Sequence, residues 1–435
     1  MRLKSVIRFS AAVATMTLAS LGRAGSLSVA PDKAAGIYQA GETVRWQIAW
    51  SDKDAPPPAH YRLLKGGLTV VGEGDVDFQH DRAQVENTLI APGTMLLEVK
   101  WKTAAGVEGR ATAGAVASPE RIALSAARPA DFDEFWKAKL AELARIPADP
   151  QLESVDAGKP NVAYWKITLG NIRGTHIHGQ LARPAQGEKF PALLIVQWAG
   201  VYGLQKSWAT DHAAEGWLVL NIEPHDLPFD NPEAFYTEQF SGPLHDYWRI
   251  GNDDRETSYY LRMYLSCYRA AEYLAGRPDW DGRTLVVMGG SQGGMQSLIT
   301  AGLHPKITAA LALVPAGCDM LGPVVGRQGG WPQWYGCIDG KDATKVREAS
   351  RYFDVANFAP SIKCPVLVGL GLVDETCPPE GIFAAVNQIT SPKELIILPK
   401  SGHQDDHGTQ GAYNDRCNQV WLPALRQGKP APVNR

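Results

Sequence analysis

The sequence predicts two units: a small all-β unit, followed by a large α/β unit in which helices cover both faces of a mostly parallel sheet. At 435 residues the chain is longer than one typical domain. Up to about residue 118, short runs with period-two alternation and intervening turn residues predict antiparallel strands. From residue 119 onward, wholly apolar runs alternate with helical patterns, which is typical of parallel strands buried on both faces.

The composition is that of a globular protein, with 45% hydrophobic and 20% charged residues. A formal net charge of −3 provides no extended basic surface. This excludes nucleic acid and anionic membranes as expected partners and favours a small or neutral substrate.

The first residues have the pattern of an export signal. An apolar run from Phe9 to Leu21 is followed by small residues at Gly22 and Ala24. The run is too short to span a bilayer, and three basic residues precede or flank its start: Arg2, Lys4 and Arg8. We therefore expect residues 1–24 to be a signal peptide and the mature protein to be secreted or periplasmic, without membrane insertion.

Six cysteines would meet an oxidising compartment after export, where disulfides can form. Their spacing leaves the pairing open, and in so long a chain cysteines are more often buried as small hydrophobic residues. They also lack the paired C-x-x-C spacing of a zinc site. The six are Cys267, Cys318, Cys337, Cys364, Cys377 and Cys417.

Residues 25–118 predict a β-sandwich, immunoglobulin-like in outline. The three prolines of residues 56–58 belong in a loop or at an edge, because proline cannot donate to a strand ladder. Trp46 and Trp50 lie on a core-like alternation. A spacer or packing module is therefore favoured over a carbohydrate-binding platform.

Residues 119–435 predict the α/β unit. Its first helix is expected to begin at Asp131, capped by that side chain while Glu134 reaches back to the cap. A longer helix is expected over residues 258–274, and another after residue 291. The expected strands cover residues 162–169, 177–182, 192–197, 217–222, 285–288, 309–314, 366–371 and 395–398.

The strand over residues 285–288 leads directly into a glycine-rich motif, G-x-S-x-G, centred on Ser291, and a helix follows. At such a strand-to-helix turn the serine oxygen is raised above the sheet, while the glycines let the backbone crowd. In a chain with 43 glycines the bare motif arises easily by chance. The position of the motif between a strand and a helix therefore predicts that Ser291 is a nucleophile in an α/β-hydrolase fold.

A serine nucleophile needs a general base and a third group that fixes the tautomer of that base. Asp374 follows the strand at residues 366–371, and His403 follows the strand at residues 395–398. Serine, aspartate, histidine is the order of α/β-hydrolases. Glu375 is the rival acid, and Asp374 is preferred because it comes first after the strand.

A cluster beside His403 has residue types that can ligate a metal: Asp405, Asp406 and His407. A solvated polar loop is the favoured interpretation, since hydrolysis by a triad requires no metal or cofactor.

The oxyanion that forms when the serine attacks a carbonyl needs backbone N–H donors. We expect one at the Gln292 N–H and a second in the loop of residues 198–203, where Val201 is preferred to Tyr202 because Gly200 allows close approach.

From about residue 129 the chain resembles the acetyl xylan esterase and cephalosporin-C deacetylase family of α/β-hydrolases. The matching stretches are Arg128–Trp136, Gly290–Gly294, Gly371–Pro379 and Gly402-His403. The resemblance implies removal of acetyl groups from sugar hydroxyls, with Ser291, Asp374 and His403 as the triad. It covers roughly the last two thirds of the chain.

Two stretches depart from the pattern of the family. Residues 223–226 read Glu-Pro-His-Asp where members usually carry Arg-Gly-Gln, and residues 199–201 read Ala-Gly-Val instead of His-Gly-Tyr. The resemblance therefore does not carry over the family's oligomer or acyl pocket. An insertion rich in glycine and tryptophan, residues 326–336, adds Trp331, Trp334 and Tyr335. Packing is the favoured interpretation of these side chains over a role in covering a sugar site.

Two alternatives remain at this point. Prolyl-peptidase-like enzymes share the motif and the order of the triad, so a serine peptidase is the first. A non-catalytic polysaccharide-binding protein that kept the fold is the second. A small-molecule or polysaccharide ester is the expected substrate, and the sequence leaves its identity and the oligomeric state open.

Overall fold

A computed structural model of the protein describes residues 26–104 and 106–434. The predicted signal peptide, residues 1–24, lies outside the described residues and stays a prediction. Within the described ranges, every helix is too short or too polar to cross a bilayer.

The N-terminal strands form two sheets, one of three strands in the order β1-β3-β6 and one of five in the order β2-β8-β7-β4-β5. The pairs are antiparallel except β2 with β8, which is parallel. The strands are β1 (Leu27–Pro31), β2 (Ile37–Tyr38), β3 (Thr43–Trp50), β4 (Ala59–Lys65), β5 (Thr69–Asp75), β6 (Arg82–Thr88), β7 (Gly93–Lys102) and β8 (Glu108–Ala117).

The two sheets share one hydrophobic core. Alternate residues of β3, among them Trp46 and Trp50, are buried against Leu97 and Val99 of β7. The burial of both tryptophans confirms the predicted core alternation, and the prolines at residues 56–58 lie in a loop as expected. The likeness to an immunoglobulin domain stays a prediction.

The rest of the chain builds a mixed nine-stranded sheet, ordered β17-β16-β15-β14-β12-β13-β11-β10-β9. Strands β12 to β17 run parallel, whereas β9, β10 and β11 pair antiparallel at one edge. The strands are β9 (Gln151–Ser154), β10 (Val162–Gly170), β11 (His176–Pro184), β12 (Phe190–Ile195), β13 (Leu218–Ile222), β14 (Trp280–Gly290), β15 (Ala309–Leu313), β16 (Val366–Gly371) and β17 (Lys393–Leu398).

Helices cover both faces of this sheet. On β14, Leu285 and Val287 join the core on one face, while Val286 joins the core on the other, because successive side chains of a strand point to opposite sides. This double burial explains the wholly apolar strands. The helices are α1 (Phe132–Ala144), α2 (Lys206–Glu215), α3 (Glu233–Ser241), α4 (Tyr259–Gly276), α5 (Gln292–Leu303), α6 (Ala343–Ser350), α7 (Val355–Phe358), α8 (Pro379–Val386), α9 (Gly411–Asp415) and α10 (Leu422–Arg426).

The predicted cap of α1 is wrong in its detail. The helix does follow Asp131, but the side chain of Asp131 accepts no hydrogen bond from the first turn. Its carboxylate instead binds the Tyr352 hydroxyl and, at 2.7 Å, the Arg255 guanidinium. These partners are distant in sequence, and a charge-assisted pair competes successfully with a local cap.

All six cysteines lie within the described residues, and none of them forms a disulfide. Five are buried, and only Cys337 is partly exposed. This agrees with their interpretation as small hydrophobic residues.

Candidate active site

Ser291 lies at the turn between β14 and α5, with φ at 55° and ψ at −119°. For a non-glycine residue this conformation is strained. Its N–H donates to the Leu313 carbonyl over 2.8 Å, which helps to hold the turn. Gly289 and Gly293 are required by close approach, because a Cβ on either would lie 2.6 Å from the Val196 carbonyl oxygen.

The acid and the base come from the ends of two neighbouring parallel strands. Asp374 follows β16, and His403 follows β17. The two loops cross at Gly371, where a Cβ would lie 2.2 Å from the Ser401 carbonyl oxygen. Only glycine at this position lets the histidine loop come so close to the aspartate.

The structure brings the three predicted residues together. Ser291 Oγ lies 2.9 Å from His403 Nε2, and His403 Nδ1 lies 2.9 Å from Asp374 Oδ2. The Asp374 side chain is fully buried, and its other oxygen accepts the backbone N–H groups of Thr376 and Cys377. Since the carboxylate oxygens only accept, Nδ1 carries the proton of a neutral imidazole, and Nε2 is left to accept the Ser291 proton.

The rival acid points elsewhere. The Glu375 carboxylate forms a double hydrogen bond to Arg110 of β8, at 2.7 and 2.8 Å, and Arg110 also binds Glu98 at 2.6 Å. The preference for Asp374 over Glu375 as the partner of His403 therefore agrees with the geometry.

The N-terminal unit contacts the loop that carries Asp374, residues 372–378, which we call the acid loop, and the start of α8, which follows it. Glu380 accepts the N–H and the hydroxyl of Thr94 at 2.7 and 2.8 Å. Gly114 packs so closely that a Cβ there would lie 2.2 Å from the Leu372 carbonyl oxygen. Together with the Arg110 ion pair, these contacts fix the acid loop against the five-stranded sheet.

Cys377 is a residue of the site that the sequence analysis did not single out. Its thiol is buried, and burial together with the neighbouring Asp374 charge raises the pKa of Cys377 well above its usual value. The Ser291 hydroxyl interacts with this thiol. Its position three residues after Asp374 was the available signal, but linear spacing alone could not place it beside Ser291.

Among the described residues, one group could offer ligand atoms to a metal ion: Asp374, Cys377 and His403, whose atoms lie within 4.8 Å of one another. Cysteine binds metals as a thiolate, whereas the raised pKa of Cys377 keeps it a neutral thiol. Asp374 and His403 are already bonded to each other. The donor set therefore fits a triad with a buried thiol beside it better than a metal centre.

A cavity of about 390 Å³ opens at Ser291 and His403. Its walls combine apolar side chains with a few polar groups. The insertion at residues 326–336 contributes Trp331, whereas Trp334 is buried and donates its ring N–H to the Trp248 carbonyl. The remaining lining residues are Trp198, Ala199, Gly290, Leu313, Val314, Thr376, Gln404, Asp405 and Gln410.

The two predicted oxyanion donors lie in segments that meet near this cavity. Gln292 is the first residue of α5, so its N–H has no acceptor within the helix. Val201 is buried and lies two residues after Ala199, which lines the cavity. The donor role of Val201 stays a prediction.

Comparison of this chain with known protein families identifies its family. The model of the acetyl xylan esterase family (AXE1) matches residues 123–420. The chain belongs to this family. It is therefore a carboxylic ester hydrolase with an α/β-hydrolase sheet, as the resemblance implied.

Individual relatives agree with this family. The acetyl esterase Axe7A of Xylanibacter ruminicola is 32% identical over 384 residues, which cover 86% of this chain and 85% of the relative. The acetyl xylan esterase of Paenibacillus sp. R4 superposes with a TM-score of 0.59 at 25% identity, over 70% of this chain and 98% of its own. Acetyl xylan esterase 1 of Thermoanaerobacterium sp. JW/SL YS485 gives a TM-score of 0.60 at 23% identity, with coverages of 70% and 97%, and supports the fold alone.

Proposed function

We propose that this esterase removes acetyl groups from acetylated sugars or polysaccharides through Ser291, His403 and Asp374. The observation that carries the proposal is the continuous line of two 2.9 Å hydrogen bonds from Ser291 through His403 to a buried carboxylate. The Ser291 end of this line opens into a cavity. The triad can therefore meet a substrate while its acid stays away from water.

The reaction proceeds through an acyl-enzyme. His403 takes the Ser291 proton while Oγ attacks the ester carbonyl, and the backbone N–H groups of Gln292 and Val201 bind the oxyanion. As the ester C–O bond breaks, His403 gives its proton to the departing sugar hydroxyl, and the acetyl group stays on Ser291. Water activated by His403 then attacks this ester and releases acetate.

The acetyl preference is supported by the family and by the cavity. Leu313 and Val314 form an apolar part of the cavity wall, and this wall suits the methyl group of an acetyl ester. Trp331 adds an aromatic side chain and Asp405 and Gln410 add polar groups, which suit a sugar.

We also propose that the protein is exported through residues 1–24. The support is the basic start, the short apolar run and the small residues after it. Mass spectrometry of the protein recovered outside the cytoplasm tests this, and a mature protein that retains Met1 contradicts it.

The substrate class is tested by comparing esters with amides. We expect fast hydrolysis of p-nitrophenyl acetate and release of acetate from acetylated xylan, with aminoacyl-anilides hydrolysed far more slowly. The measurements are nitrophenolate absorbance, enzymatic acetate assay and anilide absorbance on one preparation. A clear preference for the anilides would contradict the esterase assignment and favour a serine peptidase.

A further inference from the structure

A buried histidine lies beneath the loop that is expected to supply the second oxyanion donor, residues 198–203, which we call the oxyanion loop. His225 follows β13, and its Nε2 lies 2.9 Å from the Gly200 carbonyl oxygen. Its Nδ1 lies 2.6 Å from the Tyr259 hydroxyl. Because a carbonyl oxygen only accepts, Nε2 carries the proton, and Nδ1 accepts from Tyr259.

The histidine keeps this state at working pH. His225 is 1% exposed, and burial lowers its pKa to about 3. The imidazole is therefore neutral and retains one donor and one acceptor. Its backbone N–H donates to the carboxyl group of Glu223, which is itself buried and whose pKa burial raises well above the ordinary value.

A buried tyrosine completes the connection to the nucleophile. The Tyr247 hydroxyl lies 3.3 Å from the Gly200 nitrogen and 2.6 Å from Gln292 Oε1. The Gly200 N–H donates to the hydroxyl, so the hydroxyl donates to Gln292. Both backbone groups of Gly200 are thus bound by side chains, and one of these side chains also binds Gln292.

We propose that Tyr247 and His225 are positioning residues that fix the two oxyanion donors relative to each other. Gly200 directly precedes Val201, and Gln292 carries the other N–H, so a single hydroxyl ties both donor segments together. The hydrogen bonds run in one direction, from Tyr259 through His225, Gly200 and Tyr247 to Gln292. This inference rests on the proposed function, because the oxyanion exists only if Ser291 attacks an ester.

His225 and Glu223 belong to the Glu-Pro-His-Asp sequence of residues 223–226, directly after β13. In this chain the stretch supplies the donor for the Gly200 carbonyl. Donors must be placed within about 0.5 Å to stabilise an oxyanion, and losing one such donor elsewhere costs about 10² to 10³ in kcat.

The test is the Tyr247→Phe variant, which removes the hydroxyl and keeps the ring that packs on His225. We expect kcat on p-nitrophenyl acetate to fall by about 10- to 100-fold, somewhat less than for removal of a donor, with KM within about twofold of the wild type. The rate of labelling by a fluorophosphonate should fall in parallel, since negative charge develops on its phosphonyl oxygen during attack by Ser291 and the same donors stabilise that charge.

Tyr236→Phe is the matched control. Tyr236 is also buried, and its hydroxyl likewise accepts a backbone N–H, from Asn231, and donates to a carbonyl, that of Pro228. Both variants lose the same kind of hydrogen bonds, so we expect similar melting temperatures, but only Tyr247→Phe should lose kcat. Equal kcat in the two variants would overturn the inference.

A second pair of variants, at His225, tests the inference even if Tyr247→Phe does not fold. His225→Gln keeps an N–H that can reach the Gly200 carbonyl, whereas His225→Leu does not, so the glutamine variant should retain the higher kcat. Equal kcat values for this pair also count against the inference. A wild-type protein without turnover or labelling would instead overturn the proposed function, and this inference with it.

Discussion

Replacing Ser291 by alanine is expected to lower kcat on p-nitrophenyl acetate by about 10⁴-fold or more while the fold is retained. The substitution removes only the oxygen that lies 2.9 Å from His403 Nε2. The residual rate would come from the oxyanion donors and substrate binding alone. Steady-state kinetics and fluorophosphonate labelling measure the loss, and labelling should disappear completely.

Ser297→Ala is the matched control for this prediction. Ser297 lies in the same helix, α5, and its buried hydroxyl donates to the Gly293 carbonyl at 2.8 Å. We expect this variant to keep wild-type labelling and nearly wild-type kcat. A Ser291→Ala protein that still reacts with the probe would assign the nucleophile to another residue.

Replacing Asp374 by asparagine is expected to lower kcat by about 10⁴-fold, the size seen when an orienting aspartate is lost from a serine protease. Two backbone N–H groups require an acceptor at Oδ1, so the asparagine amide must face His403 Nδ1. Nδ1 then has to accept, which moves the imidazole proton to Nε2. A protonated Nε2 cannot take the proton of Ser291, and steady-state kinetics would report this as a loss of kcat.

The rival acid provides the comparison. Glu375→Gln changes the neighbouring carboxylate, which is partly exposed and pairs with Arg110. An exposed ion pair contributes at most about 1 kcal/mol to stability. The kcat of Glu375→Gln should therefore stay within about threefold of the wild type. A larger loss in Glu375→Gln than in Asp374→Asn would exchange the roles of the two acids.

The sequence could predict the parts of the site that are encoded locally. The turn at Ser291 follows from a strand, four glycines and a helix that adjoin one another in the chain. Asp374 and His403 follow from the rule that side chains after parallel strands gather at the same edge of the sheet. Their order along the chain then selected them from among many other acids and histidines.

Contacts between distant segments could not be predicted. The Asp131 carboxylate forms pairs with Tyr352 and Arg255 rather than with its own helix. Tyr247 and Gln292 are 45 residues apart, and no motif links them. The choice between Trp331 in the cavity and Trp334 in the core likewise depends on how the insertion folds back on the sheet.

The N-terminal unit illustrates the same limit. Alternation predicted its strands and buried tryptophans, because these depend on local period. The attachment of Arg110 to Glu375, and of Thr94 to Glu380, depends on how two separately patterned regions meet. These contacts indicate that the unit supports the acid loop instead of acting as a detached spacer.

Trapping the acyl-enzyme tests most directly whether Ser291 is the nucleophile. The wild-type protein is mixed with p-nitrophenyl acetate, quenched in acid within its first turnovers and digested for mass spectrometry. We expect one acetyl group on Ser291, and none on this peptide in Ser291→Ala. Active enzyme that carries its acetyl group on a different residue would contradict the central claim.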